Sequence, residues 1–149
     1  MGILKASSTV EVEAPAARCY EIISDLANTP EWQEAMVSAE VLEKDSEGRA
    51  ALVEIKSDAK VRTVTSLIAF QYQPETGMTW EQKKGDMKWL TGSWKLEDLG
   101  DDRTRAVYAL EADTGRMLGL LLKGPVEDKV KRWLTEDATS GLKKFAEAG

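Results

Sequence analysis

Proton-transfer or nucleophilic chemistry has few places to reside in this chain. Its 149 residues include no histidine and a single cysteine, Cys19. That excludes Ser-His-Asp and Cys-His arrangements, and it excludes histidine metal sites. The side chain that most often moves protons near neutral pH is absent too. What remains is a tyrosine, a carboxylate and a thiol. Tyr108 stands in an alternating strand and can donate a hydrogen bond to a carbonyl oxygen; alternatively its ring is plain core and its hydroxyl reaches the rim. Asp137 falls inside the apolar half of the last helix, at about 20° on a wheel of 100° per residue counted from Val126. A carboxylate facing an apolar space has a raised pKa and can hold a polar ligand head or act as acid or base. A slightly rotated helix instead leaves Asp137 at the solvent edge near Ser140 and Lys144. Cys19, on the buried side of the first helix with only Arg18 as a cationic neighbour, reads as a structural thiol. No residue is assigned a catalytic role, and no metal or cofactor is expected.

These residues need elements to position them. Thr9-Val10-Glu11-Val12-Glu13 alternates as a half-buried strand does, and Pro15 suits the first turn of a helix. Cys19, Ile22, Ile23 and Leu26 then mark one helical face until Asn28-Thr29-Pro30 breaks the run. From Val37 to Ala112 the chain alternates in short stretches punctuated by Asp45-Ser46-Glu47-Gly48, Ser57-Asp58-Ala59-Lys60, Pro74-Glu75-Thr76-Gly77, Lys84-Gly85-Asp86 and Gly100-Asp101-Asp102. With the first strand this makes about seven strands, joined mostly as hairpins, hence a largely antiparallel meander. Pro125 opens an amphipathic helix of about 20 residues or more, with Glu127 and Asp128 favouring its N-terminus. On the wheel Val126, Val130, Trp133, Leu134, Ala138, Gly141, Leu142 and Phe145 share one half, and Lys129, Arg132, Thr139, Lys143 and Glu147 the other. Before it, a glycine-interrupted apolar run over 113–124 reads as a mobile flap or as a short helix of its own.

Composition narrows the class further. Hydrophobic residues make up 42% and charged residues 31%, as in an ordinary soluble globular protein. The net charge of −6 argues against nucleic acid, which needs a basic stripe. One cysteine permits no internal disulfide and suits a reducing compartment. Met1-Gly2-Ile3-Leu4-Lys5 lacks a signal-peptide layout, and Ala6 departs from a myristoylation signal. The apolar run Met117 to Leu122 is too short to span a bilayer, so no stable membrane insertion is expected. The expectation is a single cytoplasmic domain, residues 1–149.

Three stretches carry a resemblance. Val10-Glu11-Val12-Glu13-Ala14-Pro15-Ala16, then Asp25 followed by Pro30-Glu31-Trp32, then Gly85-Asp86 followed by Gly92-Ser93-Trp94-Lys95-Leu96, occur in an order similar to that of the START-like (SRPBCC) superfamily. The likeness is to its small bacterial polyketide cyclase/dehydrase and lipid-transport proteins. The resemblance implies an α+β helix-grip fold: a curved antiparallel sheet around a long C-terminal helix, two short helices after the first strand, and an apolar cavity between sheet and helix. Members bind lipids, sterols, quinones, polyketides or plant hormones there. On that reading Phe70, Trp80, Trp94, Tyr108, Val130, Trp133 and Asp137 line the cavity, with Met117, Leu118 and Leu121 as a gate. The expected function is binding or transport of a hydrophobic small molecule. A cyclase/dehydratase-type enzyme is the alternative, with Tyr108, Asp137 or a held water replacing histidine. A protein-interaction module without ligand is a third reading. The sequence names no ligand and no protein partner.

Overall fold

β-Branched and aromatic alternation ends at each predicted turn, and the strands follow it. The computed structural model describes residues 3–149. β1 (Ile3–Val12) leads into α1 (Ala16–Ser24), with extended Pro15 at its N-cap, and then a 3₁₀ segment (Leu26–Glu31). The strands β2 (Met36–Lys44), β3 (Ala50–Asp58), β4 (Thr63–Gln73), β5 (Gly77–Gly85), β6 (Trp89–Gly100) and β7 (Arg103–Asp113) follow, then α2 (Gly115–Leu121) and α3 (Pro125–Ala148). All seven strands form one antiparallel sheet in the order β1-β7-β6-β5-β4-β3-β2. This is the expected helix-grip architecture. Its meander runs from β2 to β7, and β1 closes it by pairing with β7.

The hairpins show why the turn residues sit where they do. Asp101 and Asp102 both take positive φ, 53° and 55°, between β6 and β7. That matches the right-handed twist of the flanking strands. The Asp45 carboxylate accepts the backbone N–H groups of Glu47 and Arg49, and Arg49 Nε at 2.9 Å, which closes the β2–β3 turn.

Inward residues of the sheet make the main core with α1 and α3. Val53, Ile55, Ile68, Phe70, Met78, Trp80, Trp94, Leu96, Ala106 and Tyr108 are buried there against Cys19, Ile22, Ile23, Ala138, Leu142 and Ala146. The wheel placed the buried stripe of α3 a little off. Val126 and Phe145 are exposed, whereas Thr135 and Thr139 are buried. Hydroxyls explain the shift: Thr135 donates to the Lys131 carbonyl at 2.7 Å, and Thr139 shares a 2.8 Å hydrogen bond with Ser8 of β1. A threonine satisfied in this way can be buried at little cost, which hydropathy alone does not register.

The 113–124 run forms a short helix. Leu118 and Leu122 pack into a second apolar cluster with Leu4, Ala59, Val64 and Val130, while Leu120 and Leu121 face outward. Among the described residues no helix is long and apolar enough to cross a membrane.

One close approach fixes how α3 meets the 3₁₀ segment. A Cβ on Gly141 would overlap the Trp32 carbonyl oxygen, and it would also meet the Trp32 ring at 3.3 Å. A backbone oxygen cannot rotate away as a side chain can. Gly141→Ala gains about 1 kcal/mol of helix propensity. It also forces apart two packed elements at a cost of about 1–3 kcal/mol. We expect net destabilisation, seen as a melting temperature lowered by roughly 2–4 °C per kcal/mol for a chain of this size. An unchanged or higher melting temperature would show that the contact relaxes freely.

Candidate ligand-binding cavity

Strand register gathers the aromatic residues. Phe70 lies opposite Trp80, and Trp94 opposite Tyr108. Trp80 is paired with Gly92, and the space a side chain would fill at Gly92 is taken by the Trp80 indole. The rings therefore run in a connected string. Centroids are 5.8 Å apart for Phe70 and Trp80, 5.5 Å for Trp80 and Tyr108, 4.8 Å for Tyr108 and Trp94, and 6.2 Å for Trp94 and Trp32. Tilted pairs at such distances add attraction beyond the area they bury.

Against this string lies a cavity of about 90 Å³. The strands contribute Ile55, Ser57, Val64, Ser66, Ile68, Met78, Leu90 and Leu110 along with Phe70, Trp80, Trp94 and Tyr108. The other wall is Ile23, Leu26, Thr29, Trp32, Gln33, Ala35 and Met36, and α3 adds Leu134. Among the described residues no lining side chain is charged.

Besides the hydroxyls of Thr29 and Ser57, two polar groupings stand in the wall. Tyr108 is buried, and its hydroxyl meets the side chain of Gln33, itself only 5% exposed. Burial pushes the Tyr108 phenol far above its usual range; the Gln33 contact opposes this and the charge of Asp137 adds to it. Tyr108 therefore stays protonated, a hydrogen-bond donor rather than a base. Farther along, Ser66 donates to Gln82 Oε1 at 3.0 Å, and Gln82 Nε2 donates to the Met87 carbonyl at 2.8 Å.

The aromatic quartet expected at the site is thus brought together, and other expected residues are not. Leu118 and Val130 belong to the second cluster, and Leu121 is 50% exposed. The Met117 side chain lies outside the described residues. Trp133 turns away from the cavity: its Nε1 donates to the Asp58 carbonyl at 2.9 Å, and the Lys60 ammonium lies 3.8 Å from its ring centre. Leu134, one position on, takes the place expected of it.

Asp137 neither faces the cavity nor sits free at the solvent edge. Its Oδ2 accepts the Ala35 N–H at 2.8 Å and its Oδ1 the Glu34 N–H at 3.2 Å. Burial holds this carboxyl above the usual carboxylate range. The N–H bonds of Ala35 and Glu34 pull it back, the Glu34 charge pushes it up, and Lys60 lowers it.

Cys19 is fully buried. Burial raises its thiol pKa, with a hydrogen bond to Thr104 and the charge of Arg18 only partly offsetting this. That is the setting of an inert thiol. Among the described residues no group of three His, Cys, Asp or Glu side chains comes together to hold a metal ion.

The wall formed by Thr29, Trp32, Gln33, Ala35 and Met36 is absent from the residues expected at the site. Trp32 had a signal in the Pro30-Glu31-Trp32 stretch. Gln33 had none, since a lone glutamine in a polar run reads as surface.

The cavity, the string of rings over it and the strand order fit one description of the chain in sequence space. A family model described as "polyketide cyclase / dehydrase and lipid transport" matches residues 4–148. The chain belongs to that family. Its fold is shared by solved structures of low identity. A START superfamily protein from Mycobacterium smegmatis is 21% identical, with a TM-score of 0.83 over 97% of both chains. A protein from Thermus thermophilus is 22% identical, with a TM-score of 0.82 over 97% of both. The Zhui aromatase/cyclase from a Streptomyces species is 16% identical, with a TM-score of 0.81 over 97% of this chain and 94% of that one. At such identities the likeness concerns the fold alone. A search of curated protein sequences gives no match. Membership in the polyketide cyclase/dehydrase and lipid transport family is compatible with hydrophobic-ligand binding and with cyclase activity, and the fold does not choose between them.

Proposed function

We propose that this protein binds a flat, uncharged, largely apolar small molecule carrying one hydrogen-bonding oxygen. The observation that carries the reading is the cavity wall: mostly aromatic and aliphatic, uncharged, with the Tyr108 hydroxyl and Gln33 as a polar pair within it. A charged ligand would lose its hydration there with no partner charge to replace it, which excludes it on energetic grounds. An aromatic or quinone-like ligand stacks on the ring string, and its oxygen accepts from Tyr108.

The size of the cavity adds a condition. An apolar cavity of about 150 Å³ takes up benzene, so the 90 Å³ here falls short of a single ring. Binding therefore requires part of the wall to move. A cyclase/dehydratase is the second reading, supported by the same tyrosine. A phenol held protonated by burial can donate to a carbonyl oxygen as negative charge develops on it, although it cannot act as the base.

Titration with 2-naphthol, followed by tryptophan fluorescence, tests the binding reading. We expect saturable quenching, and no quenching by the permanently charged naphthalene-2-sulfonate. Tyr108→Phe should weaken 2-naphthol by about three- to tenfold, the worth of one neutral hydrogen bond. Native mass spectrometry of freshly purified protein should show a neutral apolar molecule carried along. Equal binding of the sulfonate, or none of either compound, would overturn the proposal.

A further inference from the structure

If the cavity is a binding site, as proposed above, its volume of about 90 Å³ means that part of the wall must move, and the wall is not equally fixed everywhere. The strand residues are held by the sheet ladder. The other lining segment, residues 29–36, is a 3₁₀ turn and a connector. It supplies Thr29, Trp32, Gln33, Ala35 and Met36 to the cavity, and only the last of these lies in a strand. Its internal bonds are short-range: the N–H groups of Trp32 and Gln33 both go to the Thr29 carbonyl, and Met36 N–H to that of Gln33.

Trp32 packs on Gly141 and Trp94, Gln33 meets Tyr108 and Met36 joins the β2–β3 ladder; the remaining hydrogen bonds of the segment to the rest of the molecule are made at Glu34 and Ala35. The Asp137 carboxylate on α3 accepts the Ala35 and Glu34 N–H groups. On the opposite side the Ala35 carbonyl accepts the Asp58 N–H at 2.7 Å, and the Asp58 carbonyl accepts Trp133 Nε1. Asp137 and Trp133 are one helical turn apart, so a single stretch of α3 grips the segment directly and through β3. By contrast, among the described residues α2 contributes none to the cavity lining, and Leu118 and Leu122 pack into the second cluster.

We propose that residues 29–36 are the door of the cavity, and that Asp137 is the positioning residue that latches it through the Ala35 and Glu34 amides. The carboxylate spans the door rather than touching the ligand. Removing it should speed both entry and exit while leaving the closed cavity and its affinity nearly unchanged.

The test uses the full chain with three substitutions: Asp137→Ala, Asp137→Asn, which keeps one acceptor oxygen, and Leu118→Ala, which loosens α2 instead. Stopped-flow fluorescence with 2-naphthol measures association and dissociation. Hydrogen exchange measures protection of the Ala35 and Glu34 amides against that of the β6–β7 ladder. In Asp137→Ala we expect both rates to rise about tenfold, as losing hydrogen bonds to a charged group implies. The ratio of the rates should stay within about threefold, with Asp137→Asn intermediate and exchange faster at residues 34 and 35 only. Unchanged rates in Asp137→Ala with faster rates in Leu118→Ala would make α2 the door and overturn the proposal. So would unchanged protection at Ala35. Should 2-naphthol not bind the parent protein, the binding reading has failed. The exchange arm then still decides the latch: local loss of protection in Asp137→Ala supports it, and its absence refutes it.

Discussion

Trp94→Ala is expected to lower the free energy of unfolding by about 3–5 kcal/mol, the range for truncating a buried tryptophan. The indole is 3% exposed and stands in the ring string between Tyr108 at 4.8 Å and Trp32 at 6.2 Å. Its loss removes contacts to the sheet and to the 3₁₀ segment at once. Phe70, Trp80 and Tyr108 are anchored on separate strands, so they cannot all collapse into the space. Trp89 is the control, on the outward face of the same strand and 39% exposed. Trp89→Ala should change stability by less than about 0.5 kcal/mol. Urea denaturation measures both. Similar midpoints for Trp94→Ala and Trp89→Ala would mean that the string is not the centre of the core.

Gly92→Ala should abolish binding of 2-naphthol while leaving the protein folded. Its Cβ would overlap the Trp80 indole, which lies over Gly92 across the β5–β6 pairing. A ring displaced inward, toward Phe70 and Tyr108, enters the cavity. The cost of such overpacking is about 1–3 kcal/mol. It is large for binding, because the displaced ring consumes the room the ligand needs. Replacing Trp80 by phenylalanine in the Gly92→Ala background returns space and should restore binding in part. Full binding by Gly92→Ala alone would show that the ligand sits elsewhere.

Much of this architecture was legible in advance because alternation is a local property. Whether residue 94 or 95 faces the core follows from period two, and the hairpin turns between 45 and 102 fix which strands are neighbours. Trp80, Trp94 and Tyr108 could therefore be placed on one face before any contact was known, whereas parity within the Val61–Tyr72 strand left Phe70 open. The final helix was less legible. A wheel ranks faces by hydropathy, and two threonines satisfied by the Lys131 carbonyl and by Ser8 displaced Val126 and Phe145 from the interior. The apolar run at 117–122 suggested a gate because leucine beside glycine reads as a mobile cover. In the structure Leu118 and Leu122 of this run pack on Leu4, Val64 and Val130 through contacts distant in sequence.

The sequence by itself determined the strand count, the hairpin order, the long helix, the absence of histidine chemistry and the shared face of Trp80, Trp94 and Tyr108. All of these depend on residue type and on spacing within a few positions. Only the tertiary structure decided that the cavity is smaller than one ring, that Gln33 meets Tyr108, and that the Asp137 carboxylate binds the backbone of residues 34 and 35. Each of those depends on how far apart two distant segments come to rest. A difference of one or two ångströms there separates a ligand contact from a latch, and no local pattern encodes that distance.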